Sequence, residues 1–486
     1  MDDILDCIIV GAGFGGVAQG IALRKAGITR FVILEKSGAI GGCWHDNTYP
    51  GAACDVPSHL YSYSFEPNPG WSRKFASQTE IEEYIQGCAK KYGVVPHCRF
   101  GRTVASAYFD ESARCWVVET DQDEHYRARV LVTATGQLSL PAVPELRGQR
   151  EFRGPQFHSA RWPAGFSAQG KRVGVLGSGA SAIQMVPELA REAAHLSVFQ
   201  RSAPYILDKP DGVYSLAARD RFRRIPWLMK LSRAAQYWQH EARFFAFEGN
   251  PLLASYFTRR CMEKLRREVG KAELRQKLTP DYPLGCKRIL ISNSYYPTFN
   301  RDNVSLETDR VEAVTESGIL MADGREITLD ALVYATGFRS TEFLSPMTIV
   351  GRNGRRLNDV WANGAEAYLG MCVEGFPNFF MLYGPNTNLG HHSILGMLEN
   401  QIAFVMRSLR PDVLRGEWTL DVRPEIQARF NHRLQEKLTH TVWSSDCQSW
   451  YKTARGKITN NWYGFVTTYR YLTRYAALDC FRERQQ

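Results

Sequence analysis

The stretch Cys7-Ile-Ile-Val-Gly11-Ala-Gly13-Phe-Gly-Gly16 decides the fold of the N-terminal part of the chain. Its first four residues are apolar, which is typical of a buried parallel strand. The three glycines have the G-x-G-x-x-G spacing that permits a tight turn, a close backbone approach and packing of the next helix on the strand. Free N–H groups at the start of that helix would bind a pyrophosphate. The stretch therefore predicts a dinucleotide-binding unit.

An acidic residue follows this loop at the distance that a ribose-binding carboxylate requires. Phe31-Val-Ile-Leu34 predicts a second strand, and Glu35 ends it, 19 residues after Gly16. A glycine motif alone is weak evidence. Strand, loop, helix, strand and acid in this order favour a nucleotide site over a glycine turn beside a surface glutamate.

A second loop of the same kind starts at Gly177. The strand Arg172-Val-Gly-Val-Leu176 leads into Gly177-Ser-Gly179-Ala-Ser181-Ala182, in which alanine is an allowed third residue. Arg201 lies 19 residues after Ala182, at the position that Glu35 has in the first unit. Because arginine pairs with phosphate in bidentate geometry, this unit is expected to bind the 2′-phosphate of NADPH and to disfavour NADH. The alternative is an ordinary surface arginine.

The segment between the two loops reads Phe152-Arg-Gly154-Pro-Gln-Phe-His158-Ser-Ala-Arg-Trp162-Pro163. It matches the pattern Phe-x-Gly-x3-His-x3-Trp-Pro/Asp, and the chain thereby resembles the type I Baeyer–Villiger monooxygenases, which are class B flavoprotein monooxygenases. The sister family of flavin-containing monooxygenases usually has Tyr or Phe where this chain has Trp162. The resemblance implies an α/β fold with two Rossmann-like domains, one for FAD and one for NADP, and a helical insertion.

Other runs extend the resemblance over nearly the whole chain. The run from Gly41 to Phe65 resembles the family's FAD-binding run, which implies FAD at the first loop. The run that contains Lys287-Arg288 implies that Lys287 reaches the 2′-phosphate and that Arg288 faces the flavin. Neighbours in an extended segment point to opposite sides, so the two cations can serve different sites. The candidate cofactor-binding residues are Gly11, Gly13, Gly16, Glu35, Gly42, Trp44, Tyr49, Asp55, Val56, Tyr61, Thr135, Gly177, Gly179, Ser181, Ala182, Gln184, Arg201, Ser202, Lys287, Asn388 and Trp450.

The resemblance also implies the reaction. NADPH would reduce FAD, and the reduced flavin would react with O2 to give a C4a-peroxyflavin that inserts one oxygen next to a ketone carbonyl, forming an ester or lactone. A fixed cation stabilises developing negative charge on oxygen. Arg288 is the candidate catalytic cation, and Asp55 is the candidate residue that orients it. The fingerprint residues are Phe152, Gly154, His158, Trp162 and Pro163. Of these, His158 and Trp162 are expected to position the linker between the domains and not to react, and a general base at His158 is the alternative.

The same observations predict a domain order. Residues 1–141 and 341–486 are assigned to the FAD-binding domain, 142–206 and 287–340 to the NADP-binding domain, and 207–286 to the helical insertion. Two similar runs, 134–136 and 335–337, mark the chain crossings. The insertion contains basic amphipathic helices, which are expected to cap the NADP unit. Contact of these helices with a membrane or a partner is the alternative.

Composition and charge exclude several other kinds of function. The net charge of +10 is spread along the chain, so nucleic acid is not an expected partner. Eleven scattered cysteines without a C-x-x-C pair predict reduced thiols in a cytoplasmic protein, and they disfavour a disulfide reductase. The N-terminus is acidic, no apolar run is long enough for a transmembrane segment, and no metal site is predicted. Oxygenation of sulfur or nitrogen, and a non-catalytic flavin-binding role, stay open as alternatives.

Overall fold

The computed structural model describes residues 4–447, 449–476 and 482–483. The chain begins with the expected strand, loop, helix and strand. The elements of this first part are β1 (Leu5–Val10), α1 (Phe14–Lys25), β2 (Phe31–Glu35), α2 (Cys43–Asp46), α3 (Gln78–Lys91), β3 (Cys98–Phe100), β4 (Val104–Asp110), β5 (Cys115–Thr120) and β6 (His125–Thr133).

The middle of the chain contains a second strand–loop–helix–strand unit that is interrupted by helices. Its elements are β7 (Gln156–His158), β8 (Arg172–Leu176), α4 (Ala182–Glu192), β9 (His195–Phe199), β10 (Ile206–Leu207), α5 (Leu216–Arg224), α6 (Pro226–Ala242), α7 (Pro251–Glu268), α8 (Ala272–Lys277), β11 (Leu290–Ile291), α9 (Tyr295–Thr298), β12 (Val304–Glu307), β13 (Val311–Val314), β14 (Gly318–Met321), β15 (Glu326–Thr328) and β16 (Ala331–Tyr334).

The last part returns to the first sheet. Its elements are β17 (Thr348–Val350), α10 (Leu357–Val360), β18 (Phe379–Met381), α11 (Ile394–Ser408), α12 (Pro411–Leu414), β19 (Thr419–Leu420), α13 (Pro424–Leu438), α14 (Val466–Tyr475) and β20 (Arg482–Glu483). The predicted segment 341–486 extends over residues outside the described ones.

The first sheet is mixed, and both of its faces are covered. Its strand order is β17-β4-β5-β6-β1-β2-β3, and β18 also pairs with β6. Strands β1, β2, β3, β6 and β18 run parallel, whereas β5 is antiparallel to β4 and β6. One apolar cluster contains Ile9 and Ile33, and the cluster on the other face contains Ile8 and Leu34. This alternation follows from the pleat of a strand that is buried on both sides.

The second sheet is wholly parallel, with the order β12-β9-β8-β16-β7. Parallel strands need crossovers, and α4 supplies the one between β8 and β9. The α/β class with two dinucleotide-type units is thereby confirmed. Among the described residues, no helix is both long enough and apolar enough to cross a bilayer.

The insertion differs from the expectation in what it covers. The chain enters and leaves the insertion at adjacent places, because β10 before it and β11 after it form a short parallel ladder. Helix α7 does contact the second unit, because Leu265 packs into the apolar cluster that contains Val175 and Leu196. Helix α6, however, binds the first unit. Arg233 donates to the carbonyl oxygens of His59 (2.8 Å) and Ser62 (2.9 Å). The insertion thus contacts both units, and its contacts with the first unit were not expected, because such long-range contacts leave no local signal in the sequence.

The linker between the two units is held by the fingerprint residues. His158 uses both ring nitrogens: Nε2 lies 2.9 Å from the carbonyl oxygen of Gly337, and Nδ1 accepts the N–H of Ala160 at 3.1 Å. Trp162 packs edge-on against Phe157 and Phe166. Because Gly337 belongs to the second crossing, the histidine ties the linker to the returning chain.

Two more fingerprint residues are explained by packing. Phe152 is buried in a cluster under the second sheet. A Cβ atom on Gly154 would lie 2.4 Å from the carbonyl oxygen of Asp330 and 2.8 Å from the Phe152 ring. Pro163 follows Trp162, and its carbonyl oxygen accepts the N–H of Phe166 at 3.2 Å.

We expect Gly154→Ala to lower the melting temperature by a few degrees, because overpacking against backbone typically costs ~1–3 kcal/mol. Gly87→Ala is the matched control: Gly87 lies inside α3, and a Cβ atom there meets nothing within 4 Å. That control should be neutral or slightly stabilising, since alanine is favoured in helices. Thermal melts of the two variants test this, and equal melting temperatures would contradict the packing explanation.

Candidate active site

The first glycine loop closes against the end of β6 and the start of α2. Gly11 has a φ of +103°, and a Cβ atom there would lie 2.7 Å from the carbonyl oxygen of Ala134. A Cβ atom on Gly16 would lie 1.8 Å from the carbonyl oxygen of Gly11. The Cα atom of Gly13 faces Gly42, where a Cβ atom would approach to 2.9 Å. Only glycine fits at positions 11, 16 and 42, and the result is a tight turn of backbone at the N-terminus of α1.

Glu35 lies at the edge of this cradle. Its carboxylate accepts the N–H of Ala12 at 2.6 Å and that of Ser37 at 2.8 Å. It is almost fully buried, with 5% of its surface exposed. The carboxylate is therefore fixed beside the loop, as a ribose-binding acid must be. Thr135 also adjoins the loop, because its Cα atom would be 3.5 Å from a Cβ atom on Gly11.

The FAD-type run forms the wall beside this loop. Trp44 donates its indole N–H to the hydroxyl of Tyr61 at 3.1 Å, and the Tyr61 ring packs edge-on against Phe14 at the start of α1. Val56 is buried in the core of the first unit. The Trp44–Tyr61–Phe14 contacts place these side chains next to the loop.

Two of the candidate cofactor residues join the two units instead. The hydroxyl of Tyr49 donates to Oε1 of Gln184 at 2.9 Å, and Nε2 of Gln184 donates to the carbonyl oxygen of Ala53 at 2.9 Å. Gln184 lies on α4 of the second unit. Both ends of its amide are thus bonded to the first unit, so Gln184 fixes the angle between the units.

The second glycine loop is more open than the first. Gly177 has a φ of +125°, and a Cβ atom there would lie 2.3 Å from the carbonyl oxygen of Ala335. Gly179, in contrast, has nothing within 4 Å of such an atom. Ser181 precedes α4 as its N-cap, and Ala182 is its first residue. This loop therefore presents an open helix N-terminus.

Cations collect at the edge of this second loop. Nζ of Lys287 donates to Oγ of Ser202 at 2.7 Å. Burial lowers the pKa of Lys287, and the positive charge of Arg201 lowers it further. Arg201 is exposed, and no carboxylate among the described residues pairs with it. The carboxylate of Asp281 acts in the opposite direction on the pKa of Lys287. Two neighbouring cations at the edge of such a loop are typical of an anion site.

Arg288 points to the other side and meets Asp55. Both its Nε (2.9 Å) and its Nη2 (2.7 Å) contact Oδ2 of Asp55. The side chains are 27% and 29% exposed, respectively, so the pair faces an open space and is not sealed in the core. The Asp55 carboxylate raises the pKa of Arg288 against the opposing effect of burial. The guanidinium is therefore held as a fixed positive charge where the two units meet.

Tyrosines surround this pair. Burial raises the pKa of Tyr451 to about 12, although the charge of Arg288 acts in the opposite direction. The hydroxyl of Tyr383 donates to Oδ1 of Asn388 at 2.7 Å, and Asn388 donates to Oδ1 of Asn461 at 2.7 Å. Asn388 is thus part of a buried amide chain beside the pair.

Trp450 lies next to this group. Its ring centroid is 4.5 Å from that of Tyr451, and its carbonyl oxygen accepts from Oγ of Ser340 at 2.8 Å. Tyr383, Tyr451 and Asn461 were not among the candidate residues. Tyr451 directly follows the candidate Trp450, and Tyr383 lies five residues before the candidate Asn388, which is a signal that could have found them. Asn461 lies near no candidate in the sequence.

The cysteine prediction needs a correction. Cys286 and Cys447 form a disulfide, with Cα atoms 6.5 Å apart. Their sequence separation is 161, so counting and spacing could not pair them. The bond joins the residue before Lys287 to the segment before Trp450. Cys43 and Cys54 stay unbonded, and burial raises the pKa of the Cys54 thiol, unlike that of a reactive redox thiol.

Comparisons with known proteins agree with this geometry. The family described as pyridine nucleotide-disulphide oxidoreductase matches residues 8–226. A Baeyer–Villiger monooxygenase from Pseudomonas aeruginosa is 42% identical over 468 residues, which cover 96% of this chain and 89% of that protein. The chain belongs to the Baeyer–Villiger monooxygenase family. The predicted family and enzyme class are thereby confirmed.

Solved structures show the same fold. A steroid monooxygenase bound to NADP has a TM-score of 0.87 at 32% identity, covering 97% of both chains. The protein OTEMO, in complex with FAD and NADP, has a TM-score of 0.88 at 29% identity, covering 99% of this chain and 98% of that one. The two-unit arrangement is therefore shared over essentially the full length.

A histidine cluster lies between α6 and the segment that follows Gly390. The rings of His391 and His392 are 6.2 Å apart, and those of His240 and His392 are 6.0 Å apart. His391 is 4% exposed, and neither of its ring nitrogens has a partner among the described residues. Burial lowers its pKa to about 3, and neighbouring charges lower it further. Sequence reasoning missed this residue.

We expect the free energy of unfolding to fall as the pH drops from 7 to 5. The unfolded chain binds a proton at His391 near pH 6.5, whereas the folded protein does so only near pH 3. Each histidine of this kind lowers the free energy of unfolding by about 1.4 kcal/mol for every pH unit below ~6.5. In His391→Leu, the free energy of unfolding should therefore change less with pH. Urea unfolding at several pH values measures this. His432→Leu on an exposed residue is the control, and equal slopes for both variants would contradict the role of burial.

Proposed function

We propose that this enzyme uses NADPH and O2 to insert one oxygen atom next to the carbonyl group of a ketone, giving an ester or lactone. FAD and NADPH are its cofactors, and the cytoplasm is its site of action. The observation that carries the proposal is the Arg288–Asp55 pair, 2.7 Å apart, where the two nucleotide units meet.

The residues around the first loop fit FAD. The backbone turn has no room for side chains at Gly11 and Gly16, so it stays tight, and a pyrophosphate can approach the N–H groups at the start of α1. Glu35 offers a fixed carboxylate for a ribose hydroxyl. When bound there, the flavin supplies the ring that accepts hydride and reacts with O2.

The residues around the second loop fit NADPH. Gly179 leaves the helix N-terminus open for a pyrophosphate, and Ser181 and Ala182 begin that helix. Arg201 and Lys287 provide two cations for the 2′-phosphate, and Ser202 holds Lys287 in place. A phosphate would relieve the repulsion between these cations.

Arg288 acts as an electrostatic group in the reaction. Negative charge develops on the carbonyl oxygen of a ketone when a nucleophile attacks its carbon, and a fixed cation near that oxygen lowers the barrier. Asp55 keeps the guanidinium in position by bonding two of its nitrogens. His158 takes no part in proton transfer, because both its nitrogens are bonded to the backbone.

Arg288→Ala should abolish ester or lactone formation, with a loss of at least ~10²–10³ in rate, because the developing charge loses its fixed partner. Reduction of the flavin by NADPH should be less affected, since hydride transfer requires alignment and not this charge. Asp55→Ala should show a milder defect. Stopped-flow absorbance measures anaerobic reduction first, and product mass after addition of O2 and ketone measures oxygen insertion.

Arg310→Ala is the matched control, because Arg310 is an exposed arginine paired only locally with Glu312. It should behave as the parent enzyme. Normal product yield from Arg288→Ala would overturn the catalytic assignment. A substrate panel in which thioethers but no ketones gain oxygen would overturn the proposed substrate class.

Arg201→Ala should raise the KM for NADPH far more than that for NADH. A charged hydrogen bond is worth ~1.5–3 kcal/mol, so the KM for NADPH is expected to rise by roughly 10- to 150-fold. Steady-state kinetics with both nucleotides measure the difference. If both KM values change equally, Arg201 does not bind the 2′-phosphate.

A further inference from the structure

Helix α6 carries apolar side chains on the side that faces away from the protein. Trp227 and Trp238 are each 62% exposed, and Leu231 is 59% exposed. With Ala234, they lie at spacings of four, three and four residues and form one stripe along the helix. We call these four residues the tryptophan stripe. A solvent-facing helix surface is normally polar, so a stripe of this kind marks a contact surface.

The inner side of α6 is bonded to the first unit and to the start of α14. Arg233 donates to the carbonyl oxygens of His59, Leu60 and Ser62. The buried Glu241 accepts the N–H groups of Val466 (3.0 Å) and Thr467 (2.9 Å) at the start of α14. These contacts fix the rotation of the helix. The stripe therefore stays exposed and does not turn inward.

Positive charge surrounds the stripe. Residues 207–286 contain sixteen Lys or Arg and nine Asp or Glu, a surplus of seven out of the chain's net charge of ten. Arg221 and Arg223 lie in the last turns of α5, directly before α6, and Lys230 lies beside the stripe. All three are exposed, and none has a carboxylate partner within the part of the chain that the structure describes.

We propose that the tryptophan stripe and these basic residues dock the enzyme on the surface of an anionic lipid bilayer. Tryptophan and leucine insert at the boundary between head groups and acyl chains, while Lys and Arg attract the anionic head groups. The helix then lies in the plane of the membrane surface and does not cross it. The proposal is independent of the reaction, because it needs neither cofactor nor substrate.

A second copy of this chain is a poorer occupant of the surface. A two-fold contact would bring two copies of the same basic surface together, and like charges repel. Three large side chains are also far fewer than the ~20–30 residues that each partner contributes to a stable interface.

The test uses the purified holoenzyme and sedimented vesicles of phosphatidylcholine, with or without phosphatidylglycerol. We expect binding to the phosphatidylglycerol vesicles, weaker binding to pure phosphatidylcholine, and loss of binding as salt rises, because salt screens the charges. The triple variant Trp227→Ser, Leu231→Ser, Trp238→Ser should bind about tenfold more weakly, because its apolar contact is removed. Arg221→Glu with Arg223→Glu should abolish the preference for anionic vesicles.

The matched control is Tyr471→Ser with Tyr475→Ser on α14, which removes two aromatic side chains that are each 64% exposed. This variant should bind as the parent enzyme does. Flavin absorbance and NADPH oxidation in vesicle-free buffer verify that every variant is folded, since none of these residues lies in the active site. Loss of oxygenation in Arg288→Ala with unchanged vesicle binding would separate the two proposals.

Three results would overturn the docking proposal. The parent enzyme could remain in the supernatant with anionic vesicles. The triple variant could bind as well as the parent, which would leave a purely electrostatic attraction. Sedimentation velocity could show a dimer that the triple variant loses while no vesicle binding occurs, which would assign the stripe to a second copy.

Discussion

The ion pair between Arg288 and Asp55 is the interaction on which the rest of the site depends. Its partners are 233 positions apart and come from different units of the fold. The pair forms only if the two units keep one relative orientation. Gln184 of the second unit holds this orientation. Its side-chain amide bonds to Tyr49 and Ala53, which lie in the segment of the first unit that leads to Asp55. His158 provides another constraint at the linker, through the carbonyl oxygen of Gly337.

Lys287 and Arg288 show how adjacent residues acquire different electrostatic properties. The pKa of Lys287 is lowered by burial and by a neighbouring cation, which favours an anionic ligand. The pKa of Arg288 is raised by a carboxylate, which keeps its charge permanent. The alternation of an extended backbone separates them, so one segment of chain contacts Ser202 of the second unit on one side and Asp55 of the first unit on the other.

Local patterns made much of this site predictable from the sequence. The glycine loops, Glu35, Arg201 and the Lys287-Arg288 segment are defined by short spacings, and the structure places each next to the expected loop or partner. Contacts between distant segments were not predictable. The bonds of Gln184, the anchors of α6 and the Cys286–Cys447 disulfide join positions that no spacing rule connects. The buried tyrosines and His391 were missed because burial depends on the final packing.

Along the chain, all strands of the second sheet lie between β6 and β17 of the first sheet, and this order has a consequence for synthesis on the ribosome. All strands of the parallel sheet β12-β9-β8-β16-β7 lie between residues 156 and 334, so this inner unit can close as soon as that stretch has emerged. The outer sheet must wait, because β17 and β18, which pair with β4 and β6, come later in the chain. Until then the edges of β4 and β6 lack these partners, and unpaired strand edges are prone to wrong association. The nascent outer unit is therefore the part of this enzyme that depends most on protection during translation.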